Sequence, residues 1–115
     1  MKYIKWSLVI LLAGWLEVVS AQITFFEGTF EDAVMKAKKE KKGLFIDFYA
    51  DWCEPCKLMA KEVFTLPEVG EYFNKSFVCC QLNVEFPENK TLMQKYKVNA
   101  LPAMFFLNVK GEVVR

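Results

Sequence analysis

The segment 44–50 constrains the fold more than any other part of the sequence, because its only charged residue is Asp47. A strand this apolar is typical of a parallel sheet whose two faces are both covered. Parallel neighbours need a long crossover between them, and that crossover is usually a helix. The sequence therefore predicts an α/β fold in which helices flank a central sheet.

Helical and strand-like patterns alternate on either side of this segment. Thr29 followed by Asp32 resembles an N-terminal helix cap, and Gly43 is predicted to end the same helix. In chain order we expect a short β piece at 23–26, a helix at 30–42, a strand at 44–50, a helix at 52–64, a short helix at 67–73, a strand at 77–84, a helix at 89–96 and strands at 104–109 and 112–115. This order predicts a mixed sheet that is parallel in part and antiparallel at its end.

Composition limits the possible chemistry. The chain has 115 residues, enough for one domain, and a formal net charge of +1, which indicates neither nucleic acid nor an anionic membrane as a partner. It contains no His, which excludes His-based acid–base catalysis and zinc sites that need His. Any catalysis must rely on Cys, carboxylates, Lys or Tyr, and we expect neither a metal nor a cofactor.

The first 21 residues have the pattern of a cleaved secretory signal. Two Lys residues precede an apolar run at 6–16, and small residues at 19–21 predict cleavage before Gln22. We therefore expect a signal peptide at 1–21 and a periplasmic or secreted protein.

An uncleaved membrane anchor is the alternative for this segment. The apolar run is shorter than the roughly 20 residues that span a bilayer, and Glu17 interrupts it. We expect the mature domain to occupy 22–115, with no membrane association beyond the export signal.

Export changes the meaning of the four Cys residues, because disulfides form and persist outside the cytosol. Cys53 and Cys56 stand at the predicted junction of a strand and a helix. At a helix N-terminus, unpaired N–H groups and the helix dipole lower the pKa of the first thiol. Its thiolate could attack a disulfide, and the second Cys, one turn on, could resolve the mixed disulfide. Pro55 suits this helix start because it lacks an N–H.

Two other interpretations of the pair remain open at this point. A structural zinc knuckle would need a second ligand pair, and the adjacent Cys79 and Cys80 are poorly spaced for one. An inert disulfide is the other, although so short a loop constrains the unfolded chain little. Cys79 and Cys80 are predicted to be small core residues on opposite faces of a strand, with an auxiliary thiol role as the alternative.

Two motifs resemble signatures of the thioredoxin superfamily. Ile-Asp-Phe-Tyr-Ala-Asp-Trp-Cys-Glu-Pro-Cys-Lys at 46–57 is similar to the active-site stretch of that family, and Ala-Leu-Pro-Ala-Met-Phe-Phe at 100–106 is similar to its cis-proline loop. The resemblance covers 24–115 in element order and is nearest to exported bacterial thioredoxin-like, thiol:disulfide interchange proteins. It implies a thioredoxin-like fold with a central mixed sheet flanked by helices. The family's fold ends with a further C-terminal helix, which we do not expect within these 115 residues.

The resemblance also implies roles for matching residues. Cys53 would be the nucleophile, Cys56 the buried resolving thiol, and Asp47 the buried carboxylate that accepts the proton of Cys56. Burial of this carboxylate should raise its pKa. The residues implied to form the substrate-binding surface are Trp52, Glu54, Pro55, Leu101 and Pro102.

The activity implied is thiol–disulfide oxidoreduction on protein substrates that contain disulfides, with a redox partner that recycles the Cys53–Cys56 dithiol. Glu54 replaces the Gly usual in the family, and its charge opposes thiolate formation at Cys53, which favours a reductase. A disulfide oxidase or isomerase, and a non-catalytic binding or chaperone module, are the alternatives. Gln81 stands where the family often has a Lys beside the carboxylate, so we expect Asp47 to be protonated more easily.

Overall fold

The computed structural model describes residues 21–115, so the predicted signal segment lies, except for its last residue, outside the described residues. In chain order the elements are helix α1 (Phe30–Glu40), strand β1 (Gly43–Tyr49), helix α2 (Glu54–Glu62), helix α3 (Pro67–Ser76), strand β2 (Phe77–Asn83), a 3-10 turn (Pro87–Asn89), helix α4 (Lys90–Lys95) and strand β3 (Ala103–Leu107). The ends of these helices and strands differ from the predicted ends by at most three residues. As predicted, no helix follows β3 within the described part of the chain.

The three strands form one sheet in the order β2-β1-β3, with β1 at its centre. Strands β1 and β2 pair in parallel, so that Tyr49 lies opposite Asn83 where both strands end. Strands β1 and β3 pair antiparallel, with Phe45 opposite Phe106. The predicted mixed α/β sheet flanked by helices is therefore confirmed.

Alternate residues of β1 contribute to two separate cores. Ile46 and Phe48 face α1 and α4, where they pack with Ala37 and its neighbours. Phe45 faces α2 and α3, and its ring meets Phe73 edge-on at 5.0 Å. Because side chains alternate along a strand, Asp47 projects from the same face as Phe45. Its carboxyl group therefore lies on the side of the sheet that α2 covers.

Helix α1 starts as predicted but ends differently. Thr29 caps it, with Oγ1 accepting a hydrogen bond from the Asp32 N–H at 3.1 Å. The helix ends at Lys41, whose left-handed φ of 57° closes the last turn, so the prediction that Gly43 ends the helix was wrong. Gly43 instead begins β1, where an added Cβ would lie 2.5 Å from the Leu107 carbonyl oxygen. This glycine therefore permits close packing of two strands.

The predicted β piece at 23–26 is reduced to a single bridge between Phe25 and Cys79. The first two amides of the piece donate to groups outside the sheet, the Phe64 carbonyl and the Asn74 side chain. A ladder along β2 cannot form while those amides are engaged elsewhere.

The predicted strand at 112–115 is likewise a single bridge, between Val113 and Leu107. The Asn108 Oδ1 atom accepts two amides of the connecting turn, each at 3.0 Å. Backbone hydrogen bonds also join the two segments, from the Phe106 N–H to the Arg115 carbonyl at 2.9 Å and from the Val114 N–H to the Phe106 carbonyl at 2.8 Å. Among residues 21–115, none of the helices combines the length and the apolarity needed to cross a membrane.

Candidate functional site

Cys53 and Cys56 form a disulfide at the N-terminus of α2, with their Cα atoms 5.3 Å apart. A tight turn follows β1, and in it the Cys53 N–H donates to the Ala50 carbonyl at 3.1 Å. Cys53 is the N-cap of α2, and its Sγ accepts a hydrogen bond from the Cys56 N–H at 3.2 Å. The Cys53 sulfur therefore lies at the positive end of the helix dipole. The predicted position of the pair, between a strand and a helix, is correct.

Both sulfur-bearing residues are recessed. Cys53 is 4% exposed and Cys56 is 7% exposed, and together with Ala50 they form a small buried cluster. The half-buried side chains that pack against this cluster are Tyr49, Val84 and Leu101. A reacting group must therefore approach through a narrow opening rather than across an open surface.

Tyr49 and Val84 are site neighbours that the sequence analysis did not identify. They lie side by side because β1 and β2 are parallel and end at the same edge of the sheet. The Val84 N–H donates to the Tyr49 carbonyl at 2.9 Å and continues the pairing past the last ladder residue. The signal that could have found them was the common end of two predicted parallel strands.

The loop before β3 reaches the same cluster. Leu101 packs against the two cysteines, and the Leu101–Pro102 peptide bond is cis. Both residues are half-buried, so part of each faces solvent beside the disulfide. The structure thus brings together the two segments that carry the sequence resemblance.

The residues next to Cys53 and Cys56 in the sequence are exposed. Trp52 is 65% exposed, so its side chain is not part of the core. Pro55 is exposed at the start of α2. Glu54 is also exposed, and its Oε1 lies 3.3 Å from the Lys57 Nζ. Solvent screening and this ion pair reduce the influence of Glu54 on the Cys53 sulfur below the sequence-based expectation.

Asp47 is 4% exposed, so its side chain is buried as expected. Burial raises the pKa of its carboxyl from the usual 3.8 to about 6, and a hydrogen bond from Gln81 partly opposes this rise. Gln81 lies directly opposite Asp47 in the pairing of β1 and β2. An amide therefore occupies the place beside Asp47, and it stabilises the carboxylate without bringing a charge.

Cys79 and Cys80 are buried free thiols that belong to the two different cores, so the predicted opposite orientation is correct. Burial raises the pKa of each thiol to about 12. For Cys79 the neighbouring thiol adds to this rise, and the Lys42 cation partly opposes it. Neither belongs to the cluster around Cys53, so the four cysteines do not form one ligand set for zinc.

Known proteins resemble this chain in sequence and in structure. The family model described as thioredoxin-like matches residues 26–108. A protein from Bacteroides thetaiotaomicron, proposed to be a disulphide isomerase, is 40% identical in sequence, and its solution structure has a TM-score of 0.72, covering 84% of this chain and 80% of that one. The oxidised C-terminal domain of DsbD from Neisseria meningitidis is 30% identical with a TM-score of 0.67, covering 80% and 84% of the two chains.

Curated relatives are longer than this chain. Thioredoxin-T of Drosophila melanogaster is 38% identical over 68 residues, which are 59% of this chain and 40% of that protein. The chain spans 12% of the thiol:disulfide interchange protein DsbD of Haemophilus influenzae, at 35% identity over 72 residues. The match of the family model over most of the described residues, together with the close agreement with the Bacteroides structure, shows that the chain belongs to the thioredoxin-like family.

Proposed function

We propose that this protein is a thiol–disulfide oxidoreductase that reduces protein disulfides through a cycle of Cys53 and Cys56 outside the cytosol. One observation carries the proposal: the Cys53–Cys56 disulfide caps α2 and is recessed beside the Leu101–Pro102 loop. An inert bridge has no need of a position at a helix N-terminus, where a thiolate is stabilised.

In the proposed reaction the reduced Cys53 thiolate attacks one sulfur of a substrate disulfide. A mixed disulfide forms as the substrate S–S bond breaks, and one substrate thiolate leaves. Cys56 loses its proton and attacks the Cys53 sulfur, which releases the second substrate thiolate and closes the Cys53–Cys56 disulfide. Two electrons pass from the protein to the substrate, so a separate redox partner must return them.

Asp47 is the proposed acceptor of the Cys56 proton. It lies on the face of β1 that is covered by α2, the helix that carries Cys56. With a pKa of about 6, its carboxyl group is mostly ionised at neutral pH and yet more basic than an ordinary carboxylate. Those two properties suit a group that must take a proton from a thiol.

The proposed substrate surface surrounds the opening to the disulfide. Leu101 and Pro102 form one part of this surface. The exposed Trp52, which directly precedes Cys53 in the chain, adds an apolar part. Glu54 and Pro55 complete the rim at the first turn of α2. Each of these side chains is solvent-accessible in part, as contact with a substrate requires.

Reduction of insulin by a chemical thiol tests the class of activity. We expect the wild-type protein to accelerate the reaction, Cys53→Ser to abolish the acceleration, and the matched control Cys79→Ala to retain it. If the wild type and Cys53→Ser were equally inactive while both kept their native circular dichroism, the enzymatic proposal would be lost.

The proposed direction of electron flow is reduction, supported by the Glu54 carboxylate in the first turn of α2. Its charge, although screened, offsets part of the positive helix end that would stabilise a thiolate. An isomerase is the second candidate, because the similar Bacteroides protein is proposed to be a disulphide isomerase. A reduction potential of roughly −270 mV would support the reductase, and one near −120 mV would contradict it. Reactivation of scrambled ribonuclease measures isomerase activity directly.

The extracytoplasmic location rests on the signal-like segment 1–21. Two residues at the start of the predicted mature domain are held by hydrogen bonds: the Gln22 carbonyl accepts from the Asn74 side chain at 3.0 Å, and the Ile23 N–H donates to the Phe64 carbonyl at 2.9 Å. Cleavage before Gln22 would therefore leave these bonds in place. We expect a bacterial host that makes the 115-residue chain to release it to the periplasm with Gln22 as the first residue. A membrane-bound product that keeps its first residues would contradict this.

A further inference from the structure

A cleft of about 650 Å³ opens at the edge of β2, close to the disulfide. Its walls are the start of α1, the carboxyl ends of β1 and β2, and residues 86, 88, 89, 91 and 92. Pockets that hold small ligands commonly have volumes of roughly 300–1,000 Å³, so this cleft is large enough for a long side chain.

The cleft adjoins the site through two residues. Tyr49 lines the cleft and also packs against the cluster of Cys53 and Cys56. Gln81 lines the cleft as well, and it is the ladder partner of Asp47 on the neighbouring strand. A peptide whose cysteine reacts at Cys53 therefore has a second concave surface within reach of its neighbouring residues.

The charges in the cleft all have one sign. Glu31 and Glu88 line it, and within the described residues no Lys or Arg does so. The positive end of the α1 dipole is nearby, but Thr29 caps one amide there and Glu31 and Asp32 place two carboxylates in the first turn. The local charge is therefore negative.

Apolar surface accompanies these carboxylates. Phe86 is 51% exposed although it lines the cleft, and Phe30 and Leu92 line it beside Leu82. An Arg or Lys side chain has an apolar stem and a charged end, and it lowers its energy when the stem covers an apolar surface while the charge meets a carboxylate. An aromatic ring such as that of Phe86 adds a cation–π attraction.

We propose that the cleft is a subsite for a cationic side chain, Arg or Lys, that the protein substrate carries near its reactive cysteine. The guanidinium or ammonium group pairs with Glu31 and Glu88, and its stem lies on Phe86. This subsite rests on the proposed function, since it binds the partner of the disulfide exchange. It is distinct from the surface formed by Trp52 and the proline loop.

A matched pair of peptides tests the subsite. Each peptide carries one cysteine as a mixed disulfide with thionitrobenzoate, flanked by Arg residues in one peptide and by Gln residues in the other. The protein is first reduced, and its dithiol then releases one peptide thiol and one thionitrobenzoate anion while Cys53 and Cys56 become a disulfide. The measured quantity is the ratio of the two second-order rate constants, in which any general loss of activity cancels.

We expect the wild-type protein to favour the Arg peptide by about fivefold or more. The double variant Glu31→Gln/Glu88→Gln should lose this preference. The control Glu62→Gln/Glu71→Gln removes the same charge from exposed helix positions outside the cleft and should keep it. Phe86→Ala should lower the ratio as well.

The outcomes separate the two proposals. Equal rates with both peptides, or an undiminished ratio in the Glu31→Gln/Glu88→Gln variant, would overturn the subsite and leave the oxidoreductase standing. An equal loss in the Glu62→Gln/Glu71→Gln control would also overturn the subsite, because the preference would then come from net charge alone. If the reduced protein released thionitrobenzoate from neither peptide, the proposed function itself would fail.

Discussion

Asp47 on β1 and Gln81 on β2 lie directly opposite each other, and the Gln81 amide favours the ionised form of the Asp47 carboxyl group. Asp47 is the only buried carboxylate among the described residues; burial raises its pKa, and the neutral Gln81 amide partly opposes this rise. The chemistry proposed for Cys56 depends on how firmly that carboxyl group holds a proton.

Two substitutions of Gln81, by Leu and by Lys, should change the pKa of Asp47 in opposite directions. Gln81→Leu removes a hydrogen bond that favours the carboxylate, so the pKa should rise above about 6. Gln81→Lys brings a cation to the same place and should lower it. Carboxyl chemical shifts measured by NMR against pH report the value directly. The controls Gln94→Leu and Gln94→Lys alter an exposed amide on α4 and should leave the Asp47 titration unchanged, whereas shifts in one common direction for both Gln81 variants would contradict the assignment.

Removing the Asp47 charge should stabilise the fold at neutral pH. The pKa of this group is higher in the folded chain, about 6, than its usual 3.8, so the folded state holds the proton more tightly than the unfolded state. The contribution of Asp47 therefore lowers stability as pH rises from about 4 to about 6. Urea unfolding of the oxidised Asp47→Asn protein should show a gain of up to about 3 kcal/mol at pH 8 and little gain below pH 4. The control is Asp51→Asn, which alters an exposed carboxylate, and an equal gain for Asp47→Asn at both pH values would count against burial as the cause.

The ion pair of Glu54 and Lys57 should tune the reactivity of Cys53 only weakly. Lys57→Gln leaves the Glu54 charge unbalanced near the sulfur and should slow alkylation of the reduced Cys53, while Glu54→Gln should speed it. Each effect should be less than about fivefold, because both side chains are exposed. The double variant should return close to the wild-type rate. A change of tenfold or more, or one that persists at high salt, would show that the pair is less screened than its exposure indicates.

Gly70 should not tolerate a side chain. It is buried in α3, and an added Cβ would lie 2.5 Å from the carbonyl carbon of Gln22, the first residue of the predicted mature domain. Gly70→Ala should therefore destabilise the protein by about 1–3 kcal/mol, even though Ala is the better helix former. Glu71→Ala, an exposed neighbour on the same helix, is the control for helix propensity. A net stabilisation by Gly70→Ala would mean that the first residues of the domain do not pack on α3.

The central strand and its two covered faces could be predicted because an apolar run with one charge has few other places in a folded protein. The end of α1 could not be predicted from the sequence. Gly43 has the residue type of a helix terminator, but the close approach of the Leu107 carbonyl requires it in the strand. Lys41 takes the left-handed position instead, at a conformational cost that local sequence does not reveal.

The site was predictable wherever a motif marked it and not where distant segments meet. Cys53, Cys56 and Leu101 belong to recognisable motifs, whereas Tyr49 and Val84 reach the cluster only through the parallel pairing of two strands. The Glu54–Lys57 pair was visible in principle, since residues three apart on a helix are neighbours. Recognising it from the spacing would have reduced the weight given to the Glu54 charge.

The recessed position of the two sulfurs has a consequence for selectivity. A cysteine on a protruding, flexible stretch of chain should reach the Cys53 sulfur most easily, because Tyr49, Val84 and Leu101 pack around the recessed pair. Cystines held rigidly within a compact native partner should therefore react more slowly. For the proposed activity, this geometry favours substrates that are incompletely folded or damaged over native, folded proteins.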